Sequence, residues 1–259
     1  MIESPGVGLE TDIITRKMPA RVTQLEPLSD DVMLVRLQMP STEMFRYQAG
    51  QYLDFIFKDN VRRSYSMAVA PEEGKAVELH IQHMPGGMFT DRIFGATERP
   101  IKLREILRIE GPLGTFFLRE ESDKPILFVA DGTGFAPLKA MIEEIIAKGI
   151  TRPVTLYWEG RRPQGLYMND LVEQWVEQLP HFNYIPVVSS ALAEDNWQGR
   201  TGSAHQAVLE DFEDLSVYQV YACGSPALTD AARKHFIKER GLPEGEFFAD
   251  TFTSAKDRG

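Results

Sequence analysis

The spacing of apolar residues along this chain changes period once, and that change constrains the fold more than any other feature. From Pro19 to about Leu118 apolar and polar residues alternate in short runs. Ala76–His83 sets Val77, Leu79 and Ile81 against Glu78, His80 and Gln82, the two-residue period of a half-buried strand. Val32–Met39, Gln51–Phe57 and Ile106–Glu110 repeat it, punctuated by Gly50, Pro71, Gly74, Gly86-Gly87 and Gly111-Pro112. Strands this short and this evenly spaced predict a small antiparallel barrel or sandwich.

After Glu120-Glu121-Ser122-Asp123-Lys124-Pro125 apolar strands alternate with amphipathic helices. The strands are expected at Ile126–Ala130, Val154–Trp158, Tyr184–Val188 and Val217–Cys223. Leu138, Met141, Ile142, Ile145 and Ile146 share one face at a 3.6-residue period, and Asp170–Leu179 and Ala227–Arg240 read as further helices. Strand–helix alternation predicts a parallel sheet covered on both faces. The expected division is an extension or linker over 1–18, a β-domain over 19–121 and an α/β domain over 122–259.

Composition removes several classes of function. A net charge of −10 argues against non-specific binding to nucleic acid or an anionic membrane. No stretch reaches the length of a membrane span, and MIESPGVGLETD lacks the parts of a signal peptide, so a cytoplasmic location is expected. The single cysteine, Cys223, excludes an internal disulfide and a four-cysteine cluster. His80 and His83 fall on opposite strand faces, and His181, His205 and His235 show no ligand spacing, so no metal site is expected.

Gly132-Thr133-Gly134 follows the first strand of the α/β half and opens a helix, where free amides can hold a phosphate. Pro137 stands where a dinucleotide fingerprint has its third glycine, and it suits a first helical turn. An aspartate, Asp131, stands directly before the turn, and Glu159 ends the next strand. A carboxylate there would repel a pyrophosphate unless it turns away or caps a helix.

The pattern Gly132-x-Gly134-x-x-Pro137 resembles the nucleotide loop of the ferredoxin–NADP reductase superfamily, and five other segments agree in order. Arg63-Ser64-Tyr65-Ser66 is similar to that family's flavin signature. Gly86-Gly87-Met88-Phe89-Thr90 resembles its second flavin segment, and Gly111-Pro112-Leu113-Gly114-Thr115-Phe116 the run that ends its barrel. Tyr221-Ala222-Cys223-Gly224 resembles the segment beside the nicotinamide, and Phe247–Phe252 the C-terminal element that returns to the flavin edge. The resemblance implies an antiparallel flavin-binding β-barrel followed by an α/β parallel-sheet domain for NAD(P)H. It also implies FAD, with FMN as the alternative.

The implied catalytic residues are Ser66, Cys223 and Asp250. The implied cofactor contacts are Arg63, Tyr65, Ser66, Gly87, Met88, Thr90, Gly132, Thr133, Gly134, Pro137, Cys223, Gly224 and Phe252. Arginine suits a pyrophosphate, the tyrosine ring an isoalloxazine face, and the serine hydroxyl the flavin N5. Val188-Ser189-Ser190-Ala191 lacks the arginine that relatives place against a 2′-phosphate, which favours NADH over NADPH unless Arg161, Arg162 or Arg200 substitutes.

The reaction so implied passes a hydride from NAD(P)H to flavin and then electrons to an acceptor. Glu10–Val22 resembles the linker after a ferredoxin domain in reductases of 3-deoxysugar biosynthesis and of some oxygenases, which implies a separate iron–sulfur protein or oxygenase as partner. Trp197–Gly202 resembles a stretch of reductases that use free flavin as substrate, the alternative. A non-catalytic flavin or nucleotide sensor is a third expectation, motivated by Asp131 and Glu159.

Overall fold

A computed structural model describes residues 13–42, 45–72 and 76–252. Gly74 and residues 1–12, including the start of the linker-like stretch, lie outside them. Six strands form the first domain: β1 (Arg16–Pro27), β2 (Val32–Gln38), β3 (Tyr52–Ile56), β4 (Arg62–Ser66), β5 (Val77–Gln82) and β6 (Ile106–Leu113). They pair antiparallel in the order β4-β3-β6-β1-β2-β5. A bridge between Met67 and Leu79, with Ala68 N–H donating to the Glu78 carbonyl at 2.7 Å, joins the two end strands and closes a barrel. Val22, Leu37, Leu53, Phe55, Leu79 and Ile109 fill its interior. The first strand starts before residue 19: Met18 is in the core, and the Thr15 hydroxyl donates to the Pro112 carbonyl at 2.7 Å. A short helix α1 (Thr90–Ile93) lies between β5 and β6.

The second domain carries a six-stranded parallel sheet of β7 (Ile126–Asp131), β8 (Val154–Gly160), β9 (Phe182–Val188), β10 (Arg200–Thr201), β11 (Gln219–Gly224) and β12 (Phe247–Thr251). Its order is β10-β9-β8-β7-β11-β12. The chain steps outward from β7 to β10, then returns to place β11 beside β7. That reversal opens a crevice beyond the carboxyl ends of β7 and β11, the natural ligand position in such a sheet.

Helices α2 (Phe135–Lys148), α3 (Asn169–Gln178), α4 (Ala204–Asp211) and α5 (Pro226–Arg240) complete the domain. Core clusters lie on both faces, one built around α2 and α3 and the other around α4 and α5. Helix α2 ends at Gly149 in the left-handed region, φ 63°, as helix termini favour. Four of its five expected face residues are buried, whereas Ile146 is exposed.

Ala49, Phe116 and Leu118 pack into the α2-side core, so the barrel and the sheet domain share apolar contact. A polar layer lies in the same boundary. Lys139 of α2 donates to the Ala68 carbonyl at 2.8 Å and pairs with Glu78 and Glu143, while the Glu143 carboxylate accepts from Ala70 N–H. The face of β5 read as polar is therefore covered, with Glu78 and His80 as buried as their apolar neighbours. Burial alone would raise Glu78, but the His80 hydrogen bond, then Lys139 and Arg36, hold it down at about 2.

Candidate functional site

Strand β4 faces β3 in a register that sets Tyr65 opposite Leu53 and Ser66 opposite Tyr52. Tyr65 packs edge-on to Phe55 at 5.8 Å and lies 5.8 Å from Phe89, which precedes α1. The ring is thus held between two aromatic neighbours, and burial pushes its hydroxyl up to about 12. Arg63 donates to the Arg62 carbonyl at 2.7 Å, and no carboxylate among the described residues claims it. An uncommitted guanidinium beside a fixed aromatic ring suits a ligand that is anionic at one end and planar at the other.

The turn before α1 departs from expectation at one residue. The Thr90 hydroxyl donates to the Met84 carbonyl at 2.9 Å and accepts from the Met84 N–H at 3.2 Å, closing the loop rather than facing outward. Gly87 permits this, since a Cβ there would lie 2.5 Å from the Thr90 Oγ. Met88 is exposed at the tip.

In the sheet domain, the two turns at the switch point press against each other. A Cβ on Gly134 would stand 2.1 Å from the Cys223 carbonyl oxygen. The glycine therefore permits one turn to lie against the other, besides opening α2. Trp158 stacks on Phe135 at 4.0 Å and donates its indole N–H to the Gly132 carbonyl at 2.9 Å, supporting the turn from below. Pro137 is buried at the third position of α2, where it offers no contact to a ligand.

Both unexpected carboxylates turn away from the crevice. Asp131 reaches across to β11 and accepts from the Ser225 N–H at 2.9 Å and from the Ser225 hydroxyl. Ser225 in turn caps α5 by accepting from Leu228 N–H. Gly224, at φ 143°, leaves the space that the Asp131 carboxylate fills; a Cβ would lie 1.7 Å from its Oδ1. Glu159 accepts from Ala204 N–H at 2.9 Å at the start of α4. Burial raises its pKa, while that amide and the Ser189 hydroxyl act in the opposite direction. Each acid neutralises a helix N-terminus, so neither presents an unpaired carboxylate to a pyrophosphate. This removes the observation that motivated a sensor.

Three residues read as catalytic converge where the domains meet. Asp250 on β12 lies in register with Cys223 on β11. The Ser66 hydroxyl, from the barrel, donates to Asp250 Oδ2 at 3.1 Å across 184 positions of sequence. Burial raises the Asp250 carboxyl, with the Ser66 hydrogen bond acting against it. The Cys223 thiol is completely buried, and burial followed by Asp250 and Asp131 pushes it well up. It is a packed thiol and not a nucleophile. Phe252 closes the edge, its N–H donating to the Gly224 carbonyl at 2.8 Å.

Sequence reasoning missed a neighbour of this junction. His80 on β5 contacts the Tyr167 hydroxyl through Nδ1 at 3.0 Å and Glu78 through Nε2 at 3.1 Å. Burial lowers the His80 pKa, with the Glu78 hydrogen bond acting against it. A histidine inside a strand, two residues from a glutamate on the same face, was the available signal.

At the far edge of the crevice, Arg162 forks onto Asp195 and also pairs with Glu194, while Arg200 pairs with Glu210 and Asp211. Of the three arginines considered for a 2′-phosphate, only Arg161 is exposed and without an ion pair among the described residues. No group of three or more metal-ligating side chains occurs among the described residues, and no helix among them is long and apolar enough to cross a membrane.

Comparison with known proteins agrees with this layout. Residues 19–118 match the oxidoreductase FAD-binding domain, and residues 128–234 the oxidoreductase NAD-binding domain. The chain is 44% identical over 238 residues to a CDP-6-deoxy-L-threo-D-glycero-4-hexulose-3-dehydrase reductase of Yersinia pestis, covering 92% of this chain and 69% of that one. It is 30% identical to an NAD(P)H-flavin reductase of Vibrio harveyi over 90% of this chain and 97% of that one. Among solved structures, the Amycolatopsis cytochrome P450 reductase GcoB superposes with a TM-score of 0.83 at 29% identity, covering 93% of this chain and 71% of that one.

Proposed function

The chain belongs to the ferredoxin–NADP reductase superfamily of FAD- and NAD-binding oxidoreductases, and we propose that it takes hydride from NADH and feeds electrons to a separate protein acceptor. The observation that carries the site assignment is the Ser66–Asp250 hydrogen bond beside Cys223, which joins the two domains where two ring systems would have to meet. A bound flavin would supply the chemistry, hydride acceptance from the coenzyme and one-electron release to an acceptor.

The chain's own residues supply binding, alignment and a place for a proton. Arg63 holds the anionic part of the flavin, and Tyr65, locked by Phe55 and Phe89, gives its ring a flat wall. Ser66 presents its hydroxyl toward the reacting edge while Asp250 fixes that hydroxyl's direction. The raised Asp250 carboxyl can receive the proton released when electrons leave. Gly132, where a Cβ would meet nothing nearer than Gln82 Oε1 at 4.0 Å, leaves room for the coenzyme at the sheet end, and the buried Cys223 bounds the nicotinamide without reacting. The paired Arg162 and Arg200, with four carboxylates around them, support NADH over NADPH, because a 2′-phosphate would face acids and a single uncommitted arginine.

The test is an anaerobic absorbance titration of purified protein with NADH and then NADPH, repeated on Ser66→Ala. A flavin band that NADH bleaches rapidly, NADPH slowly, and that survives but bleaches slowly in Ser66→Ala is the expected result. Protein isolated without flavin that reduces added flavin with saturation would replace the bound-flavin reading with free flavin as substrate. Unaltered bleaching in Ser66→Ala would remove that residue from the reacting edge.

A further inference from the structure

Strand β5 borders both halves of the site. On its barrel side, Leu79 bridges Met67, the residue after Ser66, and the Glu78 carbonyl accepts from Ala68 N–H at 2.7 Å. The strand is therefore fastened to the segment that carries Ser66. Toward the sheet domain it presents Glu78 and His80, both buried in the domain boundary. Further along, Gln82 Oε1 is the nearest atom to the coenzyme turn, 4.0 Å from where a Cβ of Gly132 would stand.

Two routes lead from these side chains to that turn. Glu78 pairs with Lys139 of α2 at 3.1 Å, and α2 begins directly after Gly134. His80 Nδ1 contacts the Tyr167 hydroxyl at 3.0 Å, with the two rings edge to face at 5.3 Å. Tyr167 in turn meets Trp158 edge-on at 5.2 Å and Phe135, the first residue of α2, at 6.1 Å. Trp158 donates to the Gly132 carbonyl at 2.9 Å. Burial, followed by Cys223 and Glu78, raises the Tyr167 hydroxyl well above the ordinary tyrosine range, which puts Cys223 within its electrostatic reach.

Apolar packing alone would close this boundary, as Ala49, Phe116 and Leu118 do elsewhere in it. Apolar contact is non-directional, whereas a hydrogen bond sets a distance and an angle. Both His80 ring nitrogens have partners; Glu78 Oε1 meets His80 and Lys139, and Oε2 accepts from Arg36. A buried polar network satisfied in this way rigidifies what it joins.

We propose that Tyr167 and His80 are positioning residues whose contact holds the Gly132–Gly134 turn at a fixed distance from the Ser66 segment, and so aligns the nicotinamide with the flavin; this rests on the oxidoreductase reading above. Hydride transfer depends steeply on such alignment, since a displacement of about 1 Å can cost about a hundredfold in rate. The contribution falls on the rate of the chemical step and not on affinity for either ligand.

The experiment uses the flavin-loaded full chain mixed anaerobically with NADH in stopped flow, and the flavin-free chain for hydrogen exchange. Tyr167→Phe deletes one hydroxyl and keeps the ring against Trp158 and Phe135. It should lower the limiting rate of flavin bleaching about tenfold, with flavin content and the NADH concentration for half-maximal rate each changed less than about twofold. The long-wavelength charge-transfer absorbance of stacked nicotinamide and flavin should fall with the rate. In the flavin-free chain, peptides spanning Gly132–Gly134 should exchange their amides about tenfold faster. His80→Leu should match Tyr167→Phe, whereas His80→Gln, whose amide keeps a donor and an acceptor, should recover most of the rate.

An unchanged limiting rate in Tyr167→Phe overturns the proposal, as does unchanged exchange at the turn. A loss that saturating NADH restores would make Tyr167 a coenzyme contact and overturn it. Loss of flavin would place the effect inside the barrel, with the same consequence. A His80→Gln variant as slow as Tyr167→Phe would deny that hydrogen bonding is the cause. Failure of either coenzyme to bleach the wild-type flavin would reject the oxidoreductase reading instead.

Discussion

Replacing Gly224 by alanine tests how the two turns at the switch point are held together. The new Cβ would stand 1.7 Å from Asp131 Oδ1 and 2.7 Å from its Cγ, so the carboxylate must leave its place on Ser225. Two hydrogen bonds to a charged acceptor go with it, each contributing roughly 1.5–3 kcal/mol. Alanine at φ 143° adds strain of about 1–3 kcal/mol. Gly224→Ala should therefore cost about 4 kcal/mol or more by these figures, read from reversible urea unfolding. Asp131→Ala loses the hydrogen bonds but creates no clash, for about 3 kcal/mol. The double variant loses those bonds once and keeps only the backbone strain, so the two costs should fall short of additivity by the hydrogen-bond cost, about 3 kcal/mol. Additive costs would show that the Asp131 carboxylate does not occupy the space left by Gly224, and the account of both residues would fail.

Three other outcomes are expected. Arg63→Ala should weaken flavin retention at least tenfold, measured by fluorescence of flavin released on dilution, since a charge-assisted contact contributes about 1.5–3 kcal/mol; unchanged retention would reject the anchor. Glu159→Ala should lower stability by about 1 kcal/mol through loss of the α4 cap, whereas Glu159→Gln, which keeps an acceptor for Ala204 N–H, should lower it less; equal losses would deny the cap. His80 has its pKa lowered by burial, so the unfolded chain binds its proton first and stability is lost as pH falls below about 6.5. The contribution to the slope is at most about 1.4 kcal/mol per pH unit, and it should disappear from unfolding curves between pH 7 and 5 in His80→Gln; an unchanged slope would place the titrating group elsewhere.

Local periodicity made both domains legible, because each strand or helix buries its own face. The strands expected at Val32–Met39 and Val154–Trp158 lie within two residues of β2 and β8. Helix α4 was missed because AHQAVLED spans barely two turns and buries only Ala204, Ala207 and Val208. The polar face of β5 was legible as a face but not as an interior, since burial of Glu78 and His80 depends on a second domain docking over them. The same reason hid the site's assembly. Ser66, Cys223 and Asp250 were readable one by one, but only the closed interface brings the first against the third. A threonine opening a helix can serve a ligand or its own loop, and the bond from the Thr90 hydroxyl to the Met84 carbonyl depends on a backbone turn that the sequence does not show.

The carboxylates at Asp131 and Glu159 show how one residue type can serve opposite ends in a nucleotide crevice. In an open turn, either would add a negative charge where a pyrophosphate must lie. Here Asp131 ends β7, whose neighbour β11 leads into α5, and Glu159 lies near the end of β8; each finds the first amides of a helix, Ser225 before α5 and Ala204 in α4. Binding those amides takes the acids out of the crevice and fixes the helix ends to the sheet. It also consumes N-terminal donors that a coenzyme phosphate could have used, leaving Gly132–Gly134 at the head of α2 as the remaining turn for that purpose. A crevice with one donor-bearing helix end should hold NADH weakly and release NAD+ readily, which suits a coenzyme that must leave after every turnover. Asp131→Ser would keep a short acceptor for Ser225 N–H; if it leaves the KM for NADH unchanged, the carboxylate's charge is indeed hidden from the coenzyme. A marked fall in KM would mean that Asp131 still repels the phosphates, and the pairing with Ser225 would not be the reason this chain tolerates an acid there.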